Sequence, residues 1–225
     1  TEQGAPGLQI VGANGAAYDV RLTSVDIDDA GPLRARVRAT GTARGSGGES
    51  LDLFLTYDFY AGLPTVCIGV CLRNPRPATH PGGFWDLGDR NSILLKDVSL
   101  VFAPPTATVV RASLERDTPF EVVTAPFDVY QESSGGDNWR STNHLNRQRE
   151  VPLRVQGYQV RTGSVVREGK RATPIVALEA AEGTTAVTVP EFWENFPRAI
   201  AYDGRTLTVR LFPGQFPDFH ELQPG

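Results

Sequence analysis

Apolar and polar residues alternate at intervals of two along much of this 225-residue chain. In Leu33–Ala39 the apolar positions alternate with three arginines, which gives one apolar face and one charged face. Such alternation is typical of a half-buried β-strand. Alternating or β-rich apolar runs recur at residues 51–55, 66–72, 93–102, 108–115, 127–132, 153–162, 175–179, 186–189, 199–202 and 206–212. The chain is therefore predicted to consist mainly of strands.

Glycine and proline separate these runs, with 23 Gly and 17 Pro in the chain. Asp203-Gly204 suits a two-residue hairpin turn, and residues 45–48 (GSGG) separate two longer strands. No window of about 12 residues carries an apolar stripe at helical spacing that is free of glycine and proline. Antiparallel strands without alternating helices predict an all-β fold, a large antiparallel β-sandwich or supersandwich with little helix.

Domain organisation is predicted from the absence of a repeat or a linker-like change in composition. Residues 1–225 are expected to form a single β-sandwich domain. Residues 1–30 are either its first strands or the end of a preceding β domain. The chain contains no methionine and ends at HELQPG, so we expect it to be excised from a longer multidomain protein.

Charge and hydropathy exclude two classes of partner. A formal net charge of −4 provides no general basic field for nucleic acid. The longest apolar stretches, such as residues 63–72, are far shorter than the ~20 residues of a membrane-spanning helix. Cys67 and Cys71 lie four apart in a predicted strand, about 13 Å along it, which is too far for a disulfide. They are predicted to be small buried hydrophobic side chains.

Three stretches have neither strand nor helix periodicity: HPGGFWDLGDRNS (80–92), YQESSGGDNWRSTNHLNR (130–147), and residues 190–200 together with 211–222. They contain every histidine and every tryptophan of the chain: His80, His144, His220, Trp85, Trp139 and Trp193. Loops on a rigid β scaffold often carry binding residues. This clustering predicts one shared site, although a single Trp or His is more often structural.

The residue types in these stretches favour a sugar ligand. The C–H face of a sugar ring packs on an aromatic plane, and its hydroxyls need the donors and acceptors of Asn, Gln, Asp, Glu and Arg. A polyuronide would add carboxylates that Arg140, Arg147 or Arg198 could bind. The sequence therefore predicts a carbohydrate, with a uronate-containing polymer as one form.

Calcium is a possible ligand of two acidic groups, Asp26, Asp28 and Asp29 in VDIDDAG and Asp86 with Asp89. Neither group completes an EF-hand loop, and acidic turn residues usually cap or bend the backbone. A structural role is favoured, so no cofactor is predicted and calcium has no motif to support it.

Motifs of hydrolases and nucleotide-binding proteins are absent from the sequence, including His-Glu-x-x-His, Gly-x-Ser-x-Gly and phosphate-binding glycine loops. Glu191 and Glu194 could form the acid/base pair of a glycosidase. The sequence does not fix their separation at the ~5–10 Å that this chemistry requires.

Together, the stretches HPGGFWDLGDRNS, YQESSGGDNWRSTNHLNR, VPEFWENFPRAI and LFPGQFPDFHELQ resemble the central β-sandwich domain of the exo-rhamnogalacturonan lyase-like proteins, the group around polysaccharide lyase family 26. The resemblance covers roughly residues 30–223. It implies a galactose mutarotase-like supersandwich, preceded by a smaller β domain and followed by an α/α toroid. The implied activity is β-elimination at galacturonosyl residues of the rhamnogalacturonan backbone.

Site residues also follow from the resemblance. A lyase of this kind must neutralise the uronate carboxylate, remove the C5 proton and protonate the leaving oxygen. The implied proton-transfer residues are His80, Tyr130, His144 and His220, without an assignment of acid or base. The implied substrate-binding residues are Asn138, Arg140, Asn143, Arg147 and Glu194, with Trp85, Trp139 and Trp193 as sugar platforms.

The predicted function is that of a domain which forms part of a pectic polysaccharide cleft, whose other wall is the toroid. Without that toroid the isolated chain is expected to be inactive or nearly so. Two alternatives remain, a non-catalytic module that docks the toroid and a free-standing carbohydrate-binding module. A secreted or periplasmic location is expected because pectic polymers lie outside the cell.

Overall fold

A computed structural model describes residues 5–79 and 88–225. This part of the chain is nearly all β, with one 3₁₀ turn, Thr142–His144, as its helical segment. The prediction of an antiparallel, all-β sandwich with little helix is confirmed. The strands are β1 (Gly7–Gly12), β2 (Asp19–Ala30), β3 (Arg34–Arg44), β4 (Ser50–Tyr60), β5 (Val66–Arg73), β6 (Ile93–Phe102), β7 (Val109–Ser113), β8 (Glu121–Val123), β9 (Phe127–Gln131), β10 (Tyr158–Thr162), β11 (Val165–Gly169), β12 (Ile175–Ala180), β13 (Gly183–Thr188), β14 (Arg198–Tyr202), β15 (Leu207–Phe212) and β16 (His220–Leu222).

The chain divides into two compact units. Unit 1 contains Lys96–Phe219 with the N-terminal segment up to Gln9, and unit 2 contains Ile10–Leu95 with His220–Gly225. The division falls within β1 and β6. The expected single domain over residues 1–225, and the assignment of residues 1–30, stay predictions. No helix in the portion that the structure describes has the length and apolar character needed to cross a membrane.

Unit 1 is a two-layer β-sandwich. One layer has the strand order β6-β15-β14-β9-β10-β11 and the other has the order β13-β12-β7-β8. Neighbouring strands in both layers are antiparallel. Side chains of both layers fill one core, in which Phe127, Val129 and Ile200 pack with Val110 and Leu178. Because side chains alternate along a strand, Asp128 and Tyr130 of β9 lie on the face opposite this core.

Unit 2 contains the antiparallel meander β2-β3-β4-β5, and one face of this sheet is charged. The arginines that alternate along β3 pair with aspartates of the neighbouring strands. Arg38 lies 2.7 Å from Asp28, Arg34 lies 2.8 Å from Asp29, and Arg36 lies 2.8 Å from Asp58. The predicted charged face of this strand is confirmed.

The opposite face of the same sheet is apolar, and only part of it is buried. Ala39, Leu53 and Leu55 are at most 5% exposed. On the edge strand β2 and in the rows nearer the other end of the sheet, large apolar side chains remain exposed. They are Val25, Ile27, Phe59, Val66 and Ile68.

Both cysteines are free thiols, as predicted, but they are exposed, so the prediction of buried cysteines is wrong. Cys67 pairs with Asp58 and Cys71 with Phe54 across the register of β4 and β5. Because of this register, both thiols lie on the charged face of the sheet, and β5 is one of its edge strands. The alternation in TVCIGVCLR places the other set of side chains on the apolar face, where Val70 and Leu72 are half-buried.

The predicted hairpin at Asp203-Gly204 is present, but its loop has four residues instead of two. Tyr202 pairs with Leu207, so residues 203–206 form the turn between β14 and β15. Asp203 Oδ1 accepts hydrogen bonds from the backbone N–H groups of Arg205 (2.8 Å) and Thr206 (2.7 Å). This side-chain capping favours the longer turn.

Candidate functional site

A long loop of unit 1, residues 132–157, is fastened at both ends by the buried side chain of Glu132. Its Oε1 accepts the backbone N–H groups of Arg154 and of Val155, the latter at 2.7 Å. Its Oε2 accepts the hydroxyl of Tyr130 at 3.0 Å. Glu132 is 3% exposed, so these bonds satisfy a carboxylate that has lost its hydration.

Two neighbouring polar residues extend this anchor. The Ser133 hydroxyl donates to Val155 O and accepts from the N–H of Gly157, both at 2.8 Å. The Gln131 amide donates to Lys170 O (2.9 Å) and accepts from the N–H of Ala172 (2.9 Å). The anchor therefore joins the loop to the strand ends beside it.

Glycine is required at two points of the anchor. Gly135 has φ +69° and Gly157 has φ +91°, a region that favours glycine. A Cβ at either position would clash with the carbonyl oxygen of Lys170. The aperiodic stretch QESSGG thus folds into a tightly packed corner rather than a simple solvent-exposed turn.

Tyr130 belongs to this anchor, which argues against its predicted role in proton transfer. It is 5% exposed, and its hydroxyl donates to Glu132. Burial, together with the negative charge of Glu132, strongly raises the pKa of Tyr130. The phenol therefore stays neutral at physiological pH and acts as a structural hydrogen-bond donor.

Two tryptophans at the loop surface are each paired with an arginine. The Arg171 guanidinium lies 4.3 Å from the ring centroid of Trp193, and its Nε donates to Ser134 O at 3.3 Å. The Arg140 guanidinium lies 5.0 Å from the ring of Trp139, and its Nε donates to Leu153 O at 3.2 Å. Arg171 therefore places Trp193 beside the segment that carries Trp139.

A groove of about 320 Å³ lies next to these pairs and is lined by Arg154, Gln156, Gln159, Glu168 and Lys170, with Val155 and Gly169. Gln156 Nε2 donates to Gly136 O at 3.2 Å, which ties the groove to the Trp139 segment. We call the groove and the two tryptophan pairs the Arg–Trp surface. It carries four basic side chains and one carboxylate in a chain of net charge −4: Arg140, Arg154, Lys170, Arg171 and Glu168.

The structure brings the second and third aperiodic stretches into contact within unit 1. The His144 ring meets the Phe196 ring edge-on, with centroids 5.5 Å apart. Asn146 Nδ2 donates to Asp218 Oδ2 at 2.7 Å. The stretches at 130–147, 190–200 and 211–222 therefore meet at one place in this unit, as far as Phe219.

The remaining predicted residues have different surroundings. Exposed side chains that make no hydrogen bond to another described side chain or backbone group are those of Asn138, Asn143, Arg147 and Glu194. Glu191 Oε2 accepts from Asn195 Nδ2 at 3.0 Å.

His220 is 9% exposed and belongs to unit 2, where its backbone pairs with Leu95. His80 and Trp85 lie outside the described residues, so the convergence of all three stretches stays a prediction.

Asp128 is a functional candidate that the sequence reasoning missed. Its pKa is raised, mainly by burial, while Arg161 and Arg210 act in the opposite direction. Gln215 Nε2 donates to its Oδ2 at 3.2 Å. A buried carboxyl with a raised pKa is a frequent feature of sites that transfer protons. In the sequence, the only feature that indicates this candidate is a single carboxylate inside the strand segment FDVYQ.

The aspartates considered as calcium ligands have structural partners. Asp28 and Asp29 pair with arginines of β3. Asp89 Oδ2 accepts from the N–H of Thr79 (2.7 Å), and its Oδ1 accepts from the N–H of Asn91 (2.8 Å). Within residues 5–79 and 88–225 there is no group of three or more His, Cys, Asp or Glu side chains arranged to hold a metal ion.

Comparison with family models, curated proteins and solved structures gives no match to this chain. Membership of the exo-rhamnogalacturonan lyase-like group therefore stays a prediction from the sequence motifs.

Proposed function

We propose that this chain is the β-sandwich part of a pectin-degrading lyase of the exo-rhamnogalacturonan lyase-like group, and that its Arg–Trp surface binds a uronate-containing polysaccharide. The observation that carries the proposal is the stacking of Arg171 on Trp193 at 4.3 Å, beside a groove with Arg154 and Lys170. Such a polymer lies outside the cell, so we also propose that the protein is exported.

The chemistry of the surface suits an acidic sugar chain. A guanidinium that lies on an indole holds the ring in place, so less side-chain entropy is lost when a sugar packs on the remaining ring surface. The fork of an arginine can bind a carboxylate through two parallel hydrogen bonds. Two arginine–tryptophan pairs therefore combine recognition of a ring with recognition of its carboxylate.

His144 and Asp128 are the residues of unit 1 best suited to move a proton, since Tyr130 is buried against Glu132 and stays neutral. His144 is partly exposed on the loop, and Asp128 is a carboxyl with a raised pKa. In β-elimination, one group would remove the C5 proton and another would protonate the leaving oxygen. We expect this chain alone to have little or no activity, because the proposed cleft also needs the toroid.

Binding is tested by calorimetry with rhamnogalacturonan oligosaccharides and with the same oligosaccharides after carboxyl reduction. The acidic form should bind, more weakly as salt increases, and the reduced form should bind at least tenfold more weakly. Arg171→Met should cause a similar loss, whereas Arg205→Met, a change at an exposed arginine of the β14–β15 turn, should not. Equal binding of both forms would contradict the proposal.

Activity is tested separately, through the ultraviolet absorbance of unsaturated products on rhamnogalacturonan. A longer parent protein that includes the toroid should form these products, and this chain should not. Robust product formation by the chain alone would refute the need for a second cleft wall.

A second candidate function, a non-catalytic module that docks the toroid, is favoured by the exposed apolar face of β2–β5. Ile27 is 72% exposed and Val25 is 63% exposed on this face. Radical footprinting would show both protected in the longer protein if they form the docking face. Equal labelling in the longer protein and in this chain would exclude that function for the face.

A further inference from the structure

Unit 2 contains a polar cavity that is independent of the Arg–Trp surface. Its volume is about 260 Å³. The wall is formed by the turn after β1, the β3–β4 hairpin, Arg76 and the start of β6. The lining residues are Gly12, Ala13, Asn14, Tyr18, Ser46, Glu49, Arg76, Ser92, Ile93 and Leu94.

Two opposite charges on the wall are half-buried and unpaired. The Glu49 carboxylate and the Arg76 guanidinium form no hydrogen bond or ion pair with any residue in the described ranges, and they do not pair with each other. The Ser92 hydroxyl oxygen is buried and also has no partner there. A buried polar atom without a partner is costly, which applies to the Ser92 oxygen. The Glu49 and Arg76 groups keep contact with solvent, so they are free to bind a polar ligand in the cavity.

Tyr18 forms the aromatic part of the wall. Burial, together with the nearby charge of Glu49, raises its pKa, while Arg76 acts in the opposite direction. The neutral phenol can therefore donate and accept hydrogen bonds. A Cβ at Gly45 would lie 2.8 Å from the Tyr18 ring and 2.7 Å from Glu49 Oε2, so glycine there leaves room for both side chains.

Neutral polar groups complete the wall. Asn14 Nδ2 donates to the Ser46 hydroxyl at 3.0 Å, which fixes both side chains at the rim. The cavity has the volume of about nine water molecules at about 30 Å³ each, which is room for one sugar ring but not for a polymer segment.

We propose that this cavity binds a single neutral monosaccharide unit. A hydroxyl group both donates and accepts, so neighbouring hydroxyls can satisfy Glu49, Arg76 and Ser92 together, while ring C–H groups pack on Tyr18. An anion would meet Glu49, and a cation would meet Arg76. The two charges cancel, which favours an uncharged ligand. The proposal does not depend on the proposed function, because it rests on other residues in the other unit.

The test uses amide NMR of the full chain, titrated with D-galactose, D-glucose and D-xylose, and separately with galacturonate and glycine. At least one neutral sugar should shift the amide signals of Gly12, Gly45 and Ser92 in a saturable way. Glu49→Gln and Arg76→Gln should each weaken this binding about tenfold or more, because each removes hydrogen bonds to a charged group. Glu182→Gln, at an exposed turn of unit 1, is the matched control.

Control variants and further ligands test whether the shifts come from this cavity and from a neutral sugar. Thermal unfolding of every variant shows whether it is folded, and Ser92→Ala provides a smaller change if either charge variant does not fold. Trp193→Ala should leave cavity binding unchanged, which separates this site from the Arg–Trp surface. Cavity shifts with glycine or galacturonate alone would overturn the assignment of a neutral sugar. The absence of shifts with any neutral sugar would overturn the site itself.

Discussion

Replacing Glu132 with alanine should release the loop that carries Trp139. In the native protein, one buried carboxylate accepts the hydroxyl of Tyr130 and the N–H groups of Arg154 and Val155. The Glu132→Ala substitution removes all three acceptor interactions and leaves three donors in a buried environment. The loop lies between Tyr130 and Gly157, so its two ends would lose their shared attachment.

The expected loss of stability can be worked from these three bonds. A hydrogen bond to a charged group contributes about 1.5–3 kcal/mol, so the three bonds give a gross sum of about 4.5–9 kcal/mol. Removal of the carboxylate also removes its desolvation penalty, and backbone N–H groups in a released loop regain water. We therefore expect a net loss of about 3–5 kcal/mol. Tyr130→Phe removes one of the three bonds and should cost about 1–2 kcal/mol.

Urea unfolding followed by tryptophan fluorescence gives the change in free energy, and hydrogen exchange reports the loop directly. The amides of Arg154 and Val155 should exchange much faster in the Glu132→Ala variant, while those of β12 should change less. A loss of stability no larger than that of Tyr130→Phe would refute the anchor. Unchanged exchange at the two amides would refute it equally.

Other substitutions test separate parts of the structure. Gly157→Ala should destabilise unit 1 by at least about 2 kcal/mol in urea unfolding, because its φ of +91° and the adjacent carbonyls exclude a side chain; an unchanged midpoint would contradict this geometry. Arg36 holds the pKa of Asp58 below its ordinary value, so the pair stabilises the fold above that ordinary value and the effect disappears as pH falls through the lowered pKa. Arg36→Gln should therefore lower the melting temperature at pH 7 but not at strongly acidic pH, and an equal deficit at both would exclude this linkage. Cys67 and Cys71 should both react with a maleimide without denaturant, whereas protection of either thiol would contradict its exposure.

Strand positions could be predicted from sequence where both faces of a strand are distinct. The predicted bounds 93–102 match β6, because this mainly apolar run is followed and preceded by turn residues. Strands were expected within residues 1–30, but the position of β2 was not predicted, because its DIDDA segment contains three aspartates, a composition more typical of a loop. Pairing with the arginines of β3 stabilises it as a strand, and that partner is not visible from the local pattern.

The loops of the candidate site could be found from sequence, but their chemistry could not. Loss of periodicity together with rare aromatic residues marked the segments that carry Trp139 and Trp193. Arg154, Lys170 and Arg171 were missed because they lie outside those segments, Arg154 shortly before β10 and the other two directly after β11. Sheet pairing between β9, β10 and β11 brings these ends together, which is a nonlocal effect.

The most direct test of a uronate-binding Arg–Trp surface is the NMR signal of each tryptophan indole N–H during titration with rhamnogalacturonan oligosaccharide. Trp139→Phe and Trp193→Phe assign the signals. The proposal predicts that the signals of Trp139 and Trp193 shift together along one saturation curve, and that Arg171→Met weakens the binding about tenfold. Saturable binding that moves neither signal, or no binding of the acidic oligosaccharide, would contradict it.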